Sequence, residues 1–181
     1  MPSKFIYFFF NSLFLECLLS DASYNDEPSK AFHNSISYIE QVLESSFIDT
    51  YYSGSTLISV LLKYNQIICA NIGDSRAILA KKQKRNSENN PCSMNNGWKF
   101  VCLSKDHKPD DPEEKERILK EGGHIDHMTD LEGRSIGPLR VWPKNGSNMG
   151  LAMSRSIGDK VVKVFGVTWE PGNKNDFLDF D

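Results

Sequence analysis

Three short polar segments hold the residues best suited to chemistry: Gly73-Asp74-Ser75-Arg76, Asp106-His107-Lys108-Pro109, and Ser154-Arg155 with Gly158-Asp159 shortly after. Asp106 follows an apolar run that reads as a strand, so its carboxylate can project from the end of a sheet or tie up the backbone of its own loop. His107 reads as a residue that shapes this loop. Gly73 permits the positive φ of a sharp turn, Asp74 and Ser75 can bond nearby backbone N–H groups, and Arg76 can pair with Asp74 or another buried acid. Turn chemistry explains all four residue types, so the segment reads as structural rather than catalytic. Ser154, Arg155 and Asp159 offer a hydroxyl nucleophile with charged helpers, but no histidine lies beside them to take the proton. A buried polar network joining sheet and loop is the better account. His124 and His127 stand three apart with only Asp126 and Asp130 near them, and spacing without a scaffold is a weak basis for a metal site.

The elements that must position these residues are legible in outline. From Ala31 to Phe47, Phe32, Ile36, Ile39, Leu43 and Phe47 recur at spacings of three and four, with Pro28 placed for a first turn, which predicts an amphipathic helix. Thr56 to Leu62, Ile67 to Ile72, Arg76 to Ala80 and Trp98 to Leu103 are β-rich runs with short or loop-like connections. They predict four antiparallel strands of one sheet, the first two forming a hairpin buried on both faces. A second helix is signalled by Asp111 as cap, Pro112 in the first turn, Glu113 and Glu114 against the N-terminal dipole, and Gly122-Gly123 as the stop. Its polar face, Glu113 to Lys120, reads as solvated. Asp126 to Asn148 carries Gly133, Gly137, Pro138, Pro143 and Gly146 and reads as irregular, with Trp142 as a packing residue in preference to a substrate contact.

Composition narrows the field without choosing a function. The 181 residues suit one domain, and a formal charge of −3 spread along the chain gives no electrostatic case for nucleic acid or an anionic membrane. The basic cluster Lys81, Lys82, Lys84 and Arg85 opens an Asn/Ser-rich stretch and reads as a solvated loop. Four cysteines, Cys17, Cys69, Cys92 and Cys102, show no Cys-x-x-Cys pair, which argues for a reducing compartment, cytoplasmic or nuclear. The N-terminal run FIYFFF behind Lys4 leaves a signal peptide as the alternative, but Asn11, Ser12 and Glu16 interrupt it, and a buried helix is preferred.

Taken in order, SGST (Ser53 to Thr56), ANIGDSRAIL (Ala70 to Leu79), LSKDHKPDDPEEKERILKEGGHI (Leu103 to Ile125) and GLAMSRSIGD (Gly150 to Asp159) resemble the metal-dependent protein serine/threonine phosphatases of type 2C, the PPM family. Each segment is weak alone; their common order and spacing from Ser53 to Val167 carries the resemblance. It implies an α/β fold of α+β layers, an antiparallel β-sandwich flanked by helices. It further implies hydrolysis of phosphoserine and phosphothreonine in phosphorylated protein substrates, Mg²⁺ or Mn²⁺ in the complete domain, and a monomer. Asp106 would lie near the binuclear centre as ligand of a third, weaker metal site. Gly73, Asp74, Ser75, Arg76, His107, Ser154, Arg155, Gly158 and Asp159 would be structural residues near the site.

The sequence departs from the family where the main ligands are expected. Those ligands come from an early acidic motif, an early Asp-Gly-His-Gly that also carries the general acid, and late Asp-Gly and Asp-Asn motifs, yet no Asp-Gly or His-Gly pair stands anywhere in this sequence. Asp176, Asp179 and Asp181 lack the expected glycine and tryptophan neighbours and take no metal role. The expectation is therefore a divergent N-terminal segment over 1–25, helical, a partial phosphatase domain over 26–170 and a tail over 171–181. No catalytic residue is assigned, the isolated chain is expected to be inactive, and unpaired sheet edges and uncovered apolar faces should remain. A catalytically inactive, phosphatase-like binding module is the competing reading.

Overall fold

The structure, a computed structural model, describes residues 12–82, 98–143 and 149–177, the last five of these through their backbone alone. The FIYFFF run, Lys84, Arg85, Cys92, Gly146, Asp179 and Asp181 lie outside the described residues. Among the described residues, no helix is long and apolar enough to cross a membrane.

Helix α1 (12–20) and helix α2 (Pro28–Ser45) cover one face of the main sheet. Pro28 enters α2 in its first turn, and Phe32, Ile36, Ile39 and Leu43 form its buried stripe. Phe14 of α1 stacks on Phe32 with ring centroids 6.0 Å apart. Phe47 is 97% exposed, contrary to the expected stripe. The helix has ended before it: Ser46 is extended and its N–H closes on Leu43 O.

Strands β1 (Gly54–Ser55), β2 (Leu57–Lys63) and β3 (Gln66–Ile72) follow, then β4 (Ile78–Lys82) and β5 (Trp98–Cys102). The four expected strands form, but in two sheets. β2 and β3 pair antiparallel, and β3 pairs on its other side with β9 (Gly172–Phe177), in a segment expected to be a tail. β4 and β5 form a separate antiparallel pair. The reason lies between β3 and β4. Gly73 turns the chain at φ 91°, and Ala77 is bonded to Leu103 N and Ser104 Oγ instead of extending the strand back along β3. The pair thus crosses to a second layer, where Leu79 and Leu103 pack on Ile67 and Cys69. β3 is buried on both faces, its other face, Ile68, Ala70 and Ile72, meeting Phe32, Ile36 and Ile39. β2 departs from expectation, with Val60 42% and Leu62 64% exposed. Lys81 and Lys82 end β4 rather than opening a loop.

Helix α3 (Pro112–Lys120) begins where the sequence signals it, with the Asp111 side chain accepting from Glu113 N. Strands β6 (His124–Thr129) and β7 (Ser135–Trp142) make an ordered hairpin where irregular chain is expected. The glycines serve it: Gly133 (φ 78°) lies in the turn, and Gly137 (φ 71°) faces the bulge between Asp126 and Met128. Strand β8 (Ile157–Gly158) pairs with β1, and helix α4 (Lys160–Lys163) follows. Val161, Val162 and Val167 pack with Ile118 and Val141 to join this end to α3 and β7.

Candidate functional site

The Gly73 turn and the Asp106 loop are locked together from both sides. Gly73 O accepts from His107 N at 3.0 Å, and Gly73 N donates to His107 Nδ1 at 3.2 Å. Asn71 Nδ2 adds bonds to Gly73 O and Lys105 O. A Cβ at Gly73 would meet Thr56 Cγ2 at 2.5 Å, so the turn needs glycine for space as well as for its φ. His107 is 5% exposed. Its burial, helped by the nearby Arg155 charge, pushes its pKa down to about 4, so the ring is neutral with Nδ1 as acceptor.

This lock displays a row of ion pairs at the ends of the sheets. Asp106 accepts from Arg76 Nε at 3.0 Å and Nη2 at 2.8 Å, one bond to each carboxylate oxygen. Those bonds hold the Asp106 carboxyl below its usual range. Arg76 thus takes Asp106 as partner, and Asp74 pairs with Lys108. Ser75 Oγ shares a hydrogen bond with Thr56 Oγ1 at 2.8 Å, and Lys105 pairs with the cap Asp111.

Behind the row, two buried networks divide the residues of the last motif. Ser154 Oγ donates to Glu114 Oε2 at 2.6 Å, and Arg155 donates from Nε and Nη2 to the same carboxylate. Arg117 completes it with bonds of 3.0 and 2.7 Å. Burial alone would raise the Glu114 pKa, but the bonds from Arg117, Arg155 and Ser154 outweigh it and hold the carboxyl far below its usual range. Gly158 and Asp159 belong to the other network: Gly158 N donates to Glu40, which pairs with Lys163, and Ser156 Oγ donates to Asp159. Burial raises the Asp159 pKa and lowers that of Lys163. The expected solvated face of α3 is thus corrected at Glu114, which is 3% exposed because two arginines and a serine require it inside. Sequence reading missed Glu114 and Glu40. The available signal was position: each stands four residues from a buried isoleucine, Ile118 and Ile36, on the same helix face.

The remaining candidates stay apart. His124 lies 3.7 Å from Asp126, while His127 Nδ1 is bonded to Gly137 O. Trp142 donates to Asp126 O and lies over Gly150, where a Cβ would meet its ring at 2.7 Å. Among the described residues, no three His, Cys, Asp or Glu are grouped to hold a metal ion. Asp106 is a lone carboxylate already paired with Arg76, and with no further acids or histidines grouped around it the described residues do not fit a binuclear Mg²⁺ or Mn²⁺ centre.

The family model for protein phosphatase 2C matches residues 10–174. The chain belongs to the protein phosphatase 2C family. Among phosphatase relatives, probable protein phosphatase 2C 41 of Arabidopsis thaliana is 39% identical over 127 residues, covering 70% of this chain and 32% of that protein. Probable protein phosphatase 2C 35 of the same plant is 32% identical over 171 residues, covering 87% and 46% respectively. The chain thus spans less than half the length of these curated relatives. The crystal structure of serine-threonine phosphatase 2C from Toxoplasma gondii superposes with a TM-score of 0.70 at 20% identity, covering 93% of this chain and 58% of that one. A C. elegans sex determining protein gives 0.64 at 21% identity, covering 93% and 35%. At such identities the likeness speaks of fold, which is the layered α/β arrangement of these phosphatases.

Proposed function

We propose that this chain serves the hydrolysis of phosphoserine and phosphothreonine esters in proteins, and that the 181 residues by themselves do not turn over. The observation that carries the first half is the family match across residues 10–174. Such hydrolysis needs a water made nucleophilic at neutral pH and phosphoryl oxygens whose charge is neutralised, which a pair of divalent cations supplies. The second half rests on ligands: within the motif segments Asp106 is engaged by Arg76, Asp74 by Lys108, Asp111 by Lys105, and Glu114 by Arg117 and Arg155. The contribution of these residues is positional. The His107 lock fixes the Asp106 loop against the Gly73 turn, and the Glu114 network anchors α3 to the segment after β7. The scattered cysteines favour a reducing compartment, cytoplasm or nucleus.

The test uses a phosphothreonine peptide with Mn²⁺. The purified 181-residue chain is expected to release no phosphate. Chelator-sensitive release traced to it would overturn the second half. A longer product of the same gene carrying Asp-Gly-His-Gly and a late Asp-Gly is expected to release phosphate. Its failure to do so would overturn the first half and leave a phosphatase-like binding module, the reading that the engaged acids favour.

A further inference from the structure

We propose that the outer face of the β4–β5 ribbon is a membrane-attachment surface, fitted to a bilayer that carries anionic lipid. The inference concerns attachment alone and stands whether or not the chain turns over phosphoesters. The two strands pair in unbroken register, Ile78 with Cys102, Ala80 with Phe100 and Lys82 with Trp98. Side chains alternate between the faces of a strand, so these pairs share one face. Leu79 and Val101 lie on the other, where Leu79 packs on Ile67 and Cys69. The first face is open: Ile78 is 58%, Phe100 55% and Trp98 46% exposed. Apolar side chains of this size in one row mark a surface that binds something.

Charge says what it binds. Lys82 stands opposite Trp98, and on the next rung Lys81 stands opposite Lys99. Like charges placed directly across a ladder weaken the pairing. Lys30, Lys105, Lys108 and Lys163 are paired with acids, whereas among the described residues Lys81, Lys82 and Lys99 are not. An anionic partner relieves their repulsion, and a neutral one cannot. The exposed apolar residues of β2, Val60 and Leu62, supply the contrast, because Lys63 beside them gives its ammonium to Tyr24 O and Asn25 O. The formal charge of −3 makes no case for an anionic membrane, so the case rests on this local arrangement. The side chains suit a bilayer in preference to a nucleic acid. Trp98 fits headgroup depth, Phe100 and Ile78 can enter the acyl boundary, and the lysine stems let the ammonium groups reach lipid phosphates. Ile78 and Ala80 would offer a nucleic acid neither charge nor a ring on which a base could stack.

The experiment floats the full chain with vesicles of phosphatidylcholine alone and of phosphatidylcholine mixed with phosphatidylserine. The chain is expected on the mixed vesicles only, and high salt should release it. A lysine near an anionic surface is worth about fivefold, so Lys81→Gln, Lys82→Gln and Lys99→Gln together should lower binding at least about twentyfold. Trp98→Ala with Phe100→Ser should lower it at least about tenfold by removing the inserted area. Leu62→Ser, which trims apolar surface on β2, should leave it unchanged. Brominated lipid should quench the tryptophan fluorescence of the wild type and much less that of Trp98→Phe. Flotation with neither vesicle, equal flotation with both, binding that survives the triple lysine change, or a loss on Leu62→Ser as large as that of the aromatic pair would each overturn the proposal. So would a self-associated chain that Phe100→Ser turns into monomers, which gives the face to a second copy, or retention by single-stranded RNA without flotation, which gives it to nucleic acid.

Discussion

Glu114 and Asp106 both accept an arginine fork, yet the two pairs differ in what surrounds them. The Glu114 side chain is 4% exposed and serves two arginines and a serine, whereas Asp106 is 21% exposed with an arginine that is 61% exposed. In the first case water cannot replace a lost partner, so every member is obligatory. In the second, both side chains are open to solvent, which can replace either partner. The same bond is thus a structural rivet at one place and an exchangeable contact at the other. Burial, more than bond geometry, separates scaffold from candidate site.

The sharpest way to break this contrast is to remove the buried carboxylate. Glu114→Ala leaves the Arg155 and Arg117 charges without their shared partner, and a loss of about 3–5 kcal/mol is expected in urea denaturation. A loss no larger than that of Arg76→Gln would erase the distinction. Gly54→Ala tests the second buried network. Its Cβ would lie 2.0 Å from the Asp159 carboxylate and 2.6 Å from Ile157 O, so a loss of about 3 kcal/mol from overpacking is expected by the same measurement.

The lock between the regions is open to pH. His107 titrates near 6.5 when unfolded and near 4 when folded, so the unfolded chain takes up the proton first as pH falls. Its contribution is complete above the unfolded value and lost progressively towards the folded one. Between about pH 7 and pH 5 the loss should be about 2 kcal/mol, and His107→Gln should remove most of that dependence. Glu114, with a depressed folded pKa, adds a loss in the same sense only below its ordinary value of 4.5. The smallest expected effect is at the exposed pair. Arg76→Gln should leave the urea midpoint unchanged, and a clear drop would mean that this pair too is a rivet.

Local signals were legible where the physics is local. The start of α3 was readable because Asp111, Pro112 and Glu113 act on the N–H groups next to them. The stripe of α2 was readable because its period reflects one buried face, and it failed only at Phe47, beyond the cap. The strand runs were found, but their assignment to one sheet was not correct. Apolar content marks a strand as buried without naming the layer, and the change of layer depended on Gly73 and Ala77 bonding to a loop some thirty residues away.

By itself the sequence determined helix α2, the start of α3, the strand runs β2 to β5 and the family, since each rests on residues close along the chain or on motif order; the β6–β7 hairpin and β9 were not legible. Only the tertiary structure decided the partners of the charges. Asp106 meets Arg76 across 30 positions and Glu114 meets Arg155 across 41. A carboxylate among polar neighbours looks the same in sequence whether it faces water or a buried arginine. The folded chain alone sets the burial that makes one pair obligatory and leaves the other exchangeable.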